Sequence, residues 1–104
     1  METYSETHWH GDVAPTFSDI VFGEHYMGGE HAIIFFDNRY GASIIRTMHS
    51  YGGTHNLYEI ACLNSEGDLV YDTEFSVDVR GWLTEDDVTE CLQIIHGLTS
   101  EETV

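Results

Sequence analysis

Lysine is absent from this chain, and positive charge of any kind is scarce. Arg39, Arg46 and Arg80 stand against 19 aspartates and glutamates, a formal charge of −16 at pH 7 over 104 residues. Such a balance argues against binding to nucleic acid or to an anionic membrane, because both present negative surfaces and call for basic donors. Proline occurs once, at Pro15, and cysteine twice, at Cys62 and Cys91. Two cysteines in apolar surroundings make no disulfide framework and read as buried reduced thiols. The longest apolar run is Ala32-Ile33-Ile34-Phe35-Phe36, too short to span a bilayer. The first residues, Met1-Glu2-Thr3-Tyr4-Ser5-Glu6, carry neither a basic region nor an apolar one, so a cytoplasmic protein is expected. The spacings of a nucleophile elbow, a phosphate loop, a dinucleotide fingerprint, H-E-x-x-H or C-x-x-C do not occur, and no cofactor is expected.

What is present is a folded domain. Hydrophobic residues make up 41% of the chain and aromatic residues 12%, enough to counter self-repulsion and build one modest core. Residues 1–16 hold the proline and little apolar periodicity, so an irregular N-terminal arm is expected there. Phe17 to Phe22 reads as a short strand, and Gly23, Gly28 and Gly29 as a loop. His31 to Phe36 is β-branched and aromatic, a strand. Asp37-Asn38-Arg39-Tyr40-Gly41 is a turn, Ala42 to His49 the return strand, and Ser50-Tyr51-Gly52-Gly53-Thr54 a second connection. His55 to Leu63 is a third strand, Asn64 to Asp68 a third turn, and Leu69 to Phe75 a fourth strand. Short turns force antiparallel neighbours. Thr84 is a good N-cap, followed by Glu85, Asp86 and Asp87, whose charges suit the positive end of a helix dipole. Val88, Cys91, Leu92 and Ile95 follow the i, i+3, i+4, i+7 pattern, and Gly97 ends the helix. The expectation is an α+β fold: an antiparallel β-meander of four to five strands packed against one C-terminal amphipathic helix, a single domain over 17–98 with a frayed tail over 99–104.

The acids have a parity. Glu66, Asp68, Asp72, Glu74 and Asp78 occupy even positions, while Leu69, Tyr71, Phe75 and Val77 occupy odd ones. Side chains alternate along a strand, so Asp72 and Glu74 should share a face, roughly 6.6 Å apart. With Glu85, Asp86, Asp87 and Glu90, the stretch from 66 to 90 holds nine acids and one arginine. Duplex DNA carries one charge per about 1.7 Å of axis, so a carboxylate row of this kind can imitate a phosphate backbone and occupy a basic groove. The plainer readings are a solvated strand face with an ordinary helix start, or adaptation to a high-salt interior.

Seven histidines invite a metal reading, with His8 and His10 on one side of an extended segment, but none has ligand spacing. Surface and rim positions are expected for them. Tyr40, Tyr51, Tyr58, Tyr71 and Trp82 recur near turns. They read as core or rim packing, or, if exposed together, as an interface anchor.

A further pattern comprises Phe36-Asp37-Asn38-Arg39-Tyr40-Gly41-Ala42-Ser43-Ile44-Ile45-Arg46, Ser50-Tyr51-Gly52-Gly53, Tyr58-Glu59-Ile60-Ala61, Tyr71-Asp72-Thr73 and Asp78-Val79-Arg80-Gly81-Trp82-Leu83-Thr84-Glu85. Over about residues 35–92 it resembles a group of small proteins encoded by tailed bacteriophages, especially those of actinobacteria. In that group the first turn more often has Gly where this chain has Arg39, which leaves this hairpin less strongly specified. The resemblance brings no activity or functional residue. It implies a phage product acting in the cytoplasm of an infected host cell. The leading expectation is therefore a non-enzymatic accessory protein that binds a basic host or phage protein, in its sharpest form a nucleic-acid mimic inhibiting a nuclease or defence complex. Its partner-binding residues would be Glu66, Asp68, Asp72, Glu74, Asp78, Glu85, Asp86 and Asp87. The alternative is a homo-oligomeric structural or minor virion protein using hydrophobic or sheet-edge contacts, and a weaker one a metal-dependent activity of the histidines.

Overall fold

The computed structural model describes residues 5–25, 28–70 and 80–98. Its elements are β1 (Ser5–Trp9), a 3-10 turn (Phe17–Asp19), β2 (Gly23–Glu24), β3 (Glu30–Phe36), β4 (Tyr40–Arg46), a second 3-10 turn (Gly53–His55), β5 (Tyr58–Asn64), β6 (Arg80–Leu83) and α1 (Glu85–His96). The architecture is α+β. The strands form one sheet in the order β1-β3-β4-β5-β6, with β2 also on β3. The β3-β4-β5-β6 meander is antiparallel throughout.

The helix covers one face of this sheet. Ala32, Ile34 and Phe36 of β3, Ala42 and Ile44 of β4, and Tyr58, Ile60 and Cys62 of β5 are buried. Their even numbering is the strand period made visible. Val88, Cys91, Leu92 and Ile95 of α1 meet most of them in one core. Cys62 and Cys91 are both buried, unbridged thiols. At the start of α1 the Thr84 Oγ1 accepts the Asp87 N–H at 3.1 Å, and the Asp87 carboxylate accepts the Thr84 N–H at 3.0 Å, a reciprocal capping box. At the other end the Asn38 side-chain amide, from the β3–β4 turn, donates to the carbonyls of Ile95, His96 and Leu98 at 2.8, 3.0 and 2.9 Å. One turn of the sheet therefore caps the helix that lies across it, which satisfies carbonyls that helix geometry leaves open.

Three expectations change. The arm expected to be irregular carries β1, which pairs in parallel with β3 from Ser5↔Ala32 to Trp9↔Phe36, making the sheet mixed. Its sequence, Ser-Glu-Thr-His-Trp, is mostly polar because only one of its faces packs, with Trp9 against the core. The expected strand over Phe17 to Phe22 is instead a 3-10 turn followed by extended chain. There the Asp19 carboxylate accepts the Thr16 N–H at 2.8 Å, and such local bonds compete with a ladder. Phe17, Ile20 and Phe22 still pack on the core, and the Phe17 N–H donates to Thr89 Oγ1 at 2.9 Å. This is the crossover that a parallel β1–β3 pair requires. Finally, Arg80–Leu83 is a strand that the alternation did not announce. The strand expected over Leu69 to Phe75 lies outside the described residues beyond Val70. Its start pairs with β5 through a Leu63↔Leu69 bridge and a Val70 N–H to Cys62 carbonyl bond of 3.0 Å.

Arg39 takes φ 76° in the β3–β4 turn, the left-handed region that favours glycine. Arginine at this turn is thus accommodated with strain.

Candidate functional site

The described acids do not form a single row. Glu66 and Asp68 are exposed in the turn after β5, where Asn64 Oδ1 accepts both of their N–H groups at 2.9 and 3.0 Å. Glu85 and Asp86 are exposed at the start of α1, and Asp87 is drawn into the capping box. The two groups flank opposite ends of β5: Leu63 bridges Leu69 while Tyr58 pairs with Leu83, roughly 17 Å apart at about 3.3 Å per residue. Asp72, Glu74 and Asp78, the centre of the expected row, lie outside the described residues.

The end of β5 nearer the helix start carries an irregular strand pairing and a left-handed tryptophan. β6 pairs with β5 at Tyr58↔Leu83 and Ile60↔Arg80. Gly81 and Trp82 thus oppose the single residue Glu59, which makes a β-bulge. A bulge re-aims a side chain and interrupts the alternation that sequence reading depends on. Trp82 takes φ 60°, rare for a bulky residue, and its side chain is 57% exposed.

A hydrogen-bonded loop holds a second aromatic against this bulge. Thr47, itself buried, binds Ser50 in both directions: the Thr47 N–H donates to Ser50 Oγ at 2.8 Å, and Ser50 Oγ donates to the Thr47 carbonyl at 3.0 Å. Successive turns then run to Leu57, whose N–H bonds the Gly52 carbonyl at 3.0 Å. The Trp82 N–H donates to the Tyr51 carbonyl at 3.1 Å, and the Tyr51 N–H to the Glu59 carboxylate at 2.9 Å. Two glycines allow the close approach. A Cβ on Gly81 would lie 2.3 Å from Tyr51 Cβ, and one on Gly52, at φ 91°, 2.8 Å from Trp82 Cα. The Tyr51 side chain therefore sits over Gly81, and the Trp82 backbone over Gly52. The His55 ring lies 5.2 Å from the indole. Tyr51 is 62% exposed and Met48 67%.

The aromatic set divides accordingly. Tyr58 is buried in the core and Tyr40 packs at its margin, whereas Tyr51 and Trp82 are presented to solvent. Tyr71 lies outside the described residues. Tyr58 meets Phe17 edge-on at a centroid distance of 5.1 Å and stacks with Phe22 at 5.7 Å. The Arg46 guanidinium lies 5.5 Å from its ring centre, and Arg46 is paired with Glu30 and bonded to Asn56 Oδ1 at 2.8 Å. Burial, reinforced by the Glu30 charge, raises the Tyr58 phenol above its ordinary range. Burial likewise raises the Cys91 thiol, against the opposing pull of Arg80 beside it.

The histidines act in pairs. His10 Nδ1 and Asp37 Oδ1 are 2.8 Å apart, and that bond holds the Asp37 carboxyl below the usual aspartate range. His96 Nε2 lies 2.9 Å from the Gly11 carbonyl, and its ring meets Phe36 edge-on at 5.3 Å. These contacts border an open cleft of about 440 Å³ between the arm and the end of the helix. Among the described residues no three His, Cys, Asp or Glu side chains converge as metal ligands, and no helix is long and apolar enough to cross a membrane.

Chemically, the bulge platform offers rigid aromatic surface with carboxylates beside it. Trp82 and Glu85 are three residues apart, so their Cα atoms are at most about 11 Å apart. A platform of this kind is suited to holding a cation or an apolar side chain of a partner. Set against protein-family models, curated proteins and solved structures, the chain matches none of them, so the site rests on its own geometry.

Proposed function

We propose that this protein acts by binding rather than by chemistry, as an acidic accessory protein whose partner is a basic protein of a phage or its host. The observation that carries the reading is a −16 surface charge combined with an exposed, pre-ordered Tyr51–Trp82 platform beside the acids of the helix start. That net charge already counts the three arginines, of which Arg46 is engaged with Glu30 and Asn56 and Arg80 lies beside Cys91. Long-range attraction then speeds encounter, and the aromatic platform supplies the desolvated contact that charge alone lacks. Imitation of a phosphate backbone, directed at a nuclease or defence complex, is the sharper form of the proposal. It rests on the acids from Glu66 to Glu90.

The test is recovery of a partner from an actinobacterial lysate at low and at high salt. Wild-type protein is compared with Asp72→Lys/Glu74→Lys and with Glu85→Lys/Asp86→Lys. Recovery of one basic protein, lost at high salt and weakened by the reversals, supports the reading. Recovery that ignores both salt and the reversals defeats it. A second reading, homo-oligomerisation through the sheet edge, is favoured by the position of β1 at the end of the strand order and by exposed Val13 and Val21 nearby in the chain. Light scattering of the purified protein distinguishes the two.

A further inference from the structure

The interior site at Tyr58 and the exposed platform at Trp82 are made of the same ingredients. At Tyr58 a guanidinium is held between an aromatic ring and a carboxylate, with Arg46 5.5 Å from the ring centre and paired with Glu30. At the bulge, Trp82 and Tyr51 turn aromatic surface outward, 57% and 62% exposed. Glu59 lies against Tyr51, and Glu85 and Asp86 are exposed just beyond Trp82. We propose that Tyr51 and Trp82 receive an arginine side chain from a basic polypeptide partner, its guanidinium stacked on the indole and paired with the carboxylates at the start of α1. The inference rests on the reading that the partner is a basic protein, and adds which of its residues is recognised and where.

Charge complementarity identifies the occupant as cationic, since the whole chain carries −16. The aromatic component selects arginine over lysine. A guanidinium is planar and weakly hydrated, so it can stack on a ring face and still donate in-plane hydrogen bonds to a carboxylate. An ammonium is compact and strongly hydrated, and it loses more on leaving water for the same ring. Tryptophan is the strongest of the aromatic partners for such a cation.

Pre-ordering supports the same conclusion. The fold holds Trp82 at φ 60°, in a left-handed conformation that a tryptophan adopts only at a cost. Gly81 fits so closely against the Tyr51 side chain, and Gly52 against the Trp82 backbone, that a Cβ at either position would collide. The loop behind them is bonded turn by turn from Thr47 to Leu57. A partner side chain therefore meets two residues whose backbone freedom was already lost on folding, which is how affinity is gained without added area.

The test titrates fluorescein-labelled hexa-arginine and hexa-lysine peptides into the full chain in low-salt buffer, for wild type, Trp82→Gly and Tyr51→Ala, with anisotropy as readout. Both peptides carry the same charge, so the difference between them removes net charge from the comparison, and the part of it that depends on Trp82 is the aromatic contribution. The wild type is expected to prefer hexa-arginine by about three- to fivefold. Trp82→Gly should lower hexa-arginine to the hexa-lysine level and leave hexa-lysine unchanged, and Tyr51→Ala should give part of that loss. Glycine suits the backbone at position 82, and an unchanged or raised thermal midpoint verifies the fold. Equal binding of the two peptides by the wild type, or a preference that survives Trp82→Gly, overturns the proposal while leaving salt-sensitive binding of a basic partner intact. Failure of either peptide to bind at all overturns the basic-partner reading as well.

Discussion

Tyr58 and Trp82 stand on adjacent strands of one sheet, and the fold treats them in opposite ways. Tyr58 flanks the bulge in a paired position opposite Leu83, 7% exposed, with its ring among Phe17, Phe22 and Arg46. Trp82 lies one position away from the Tyr58↔Leu83 pair, within the bulge, with a left-handed backbone and 57% exposure. Residue type does not separate them, since both are large aromatics with comparable apolar area. The separation comes from one extra residue in β6, which shifts the alternation and turns the indole outward. Tyr58 contributes to stability, whereas Trp82 draws on stability to present a surface.

That contrast makes the two positions respond with opposite sign. Tyr58→Ala should cost about 3 kcal/mol in urea denaturation, the range for removing a packed aromatic from a core. A loss below about 1 kcal/mol would mean that the Phe17–Phe22–Tyr58 cluster is not packed as described. Asn38→Ala comes next, at about 2 kcal/mol, because it leaves carbonyls at the end of α1 without their donor. The same denaturation series reads it, and an unchanged midpoint would show that water replaces the Asn38 amide at no cost. Trp82→Gly is expected to move the other way, stabilising by up to about 1 kcal/mol as the left-handed strain is relieved. Arg39→Gly should give a gain of similar size for the same reason. If Trp82→Gly instead destabilises as Tyr58→Ala does, the contrast between the two aromatics collapses.

The smallest effect is electrostatic. His10→Ala removes the bond that lowers the Asp37 carboxyl, so the Asp37 titration followed by NMR should move up toward its ordinary value. A carboxyl whose folded-state pKa is depressed contributes stability above its unfolded pKa and loses it as pH falls through the folded value. The His10–Asp37 contribution is therefore present at neutral pH and is lost only in acid, and it is small because Asp37 is exposed. Tyr58 and Cys91 have the opposite sign. Burial raises both, so the folded state keeps protons that the unfolded state releases. Stability should accordingly decline on the alkaline side, beginning near the ordinary thiol pKa of about 8.5.

Much of the fold was legible because its signals are local. The helix announced itself through Thr84, the following acids and the Val88, Cys91, Leu92, Ile95 spacing, all within a dozen residues, and each of those four apolar side chains is buried. The β3–β4–β5 meander was legible from turn chemistry at Asp37–Gly41 and Ser50–Thr54. The candidate site was legible only in part. In sequence, Tyr51 and Trp82 stand out as aromatics near turns, a pattern that fits core packing or an exposed anchor. Their meeting was not visible, because 31 positions separate them in sequence and the glycines that permit it, Gly52 and Gly81, read only as turn residues. The even-numbered acids gave the clearest pattern, yet the described ones fall at opposite ends of β5.

The amino-acid sequence by itself determined the sign and size of the charge, the helix with its N-terminal cap, and the antiparallel run from β3 to β5. These depend on composition and on periodicities that repeat within a few residues. Only the tertiary structure decided that a polar N-terminal segment pairs in parallel with β3, that Asn38 closes a helix nearly sixty residues away (57 to Ile95), and that a bulge turns Trp82 outward beside Tyr51. Each of those depends on which distant segments share an edge or a corner. A strand's own residues state its faces, but its neighbour decides its register and where the register slips.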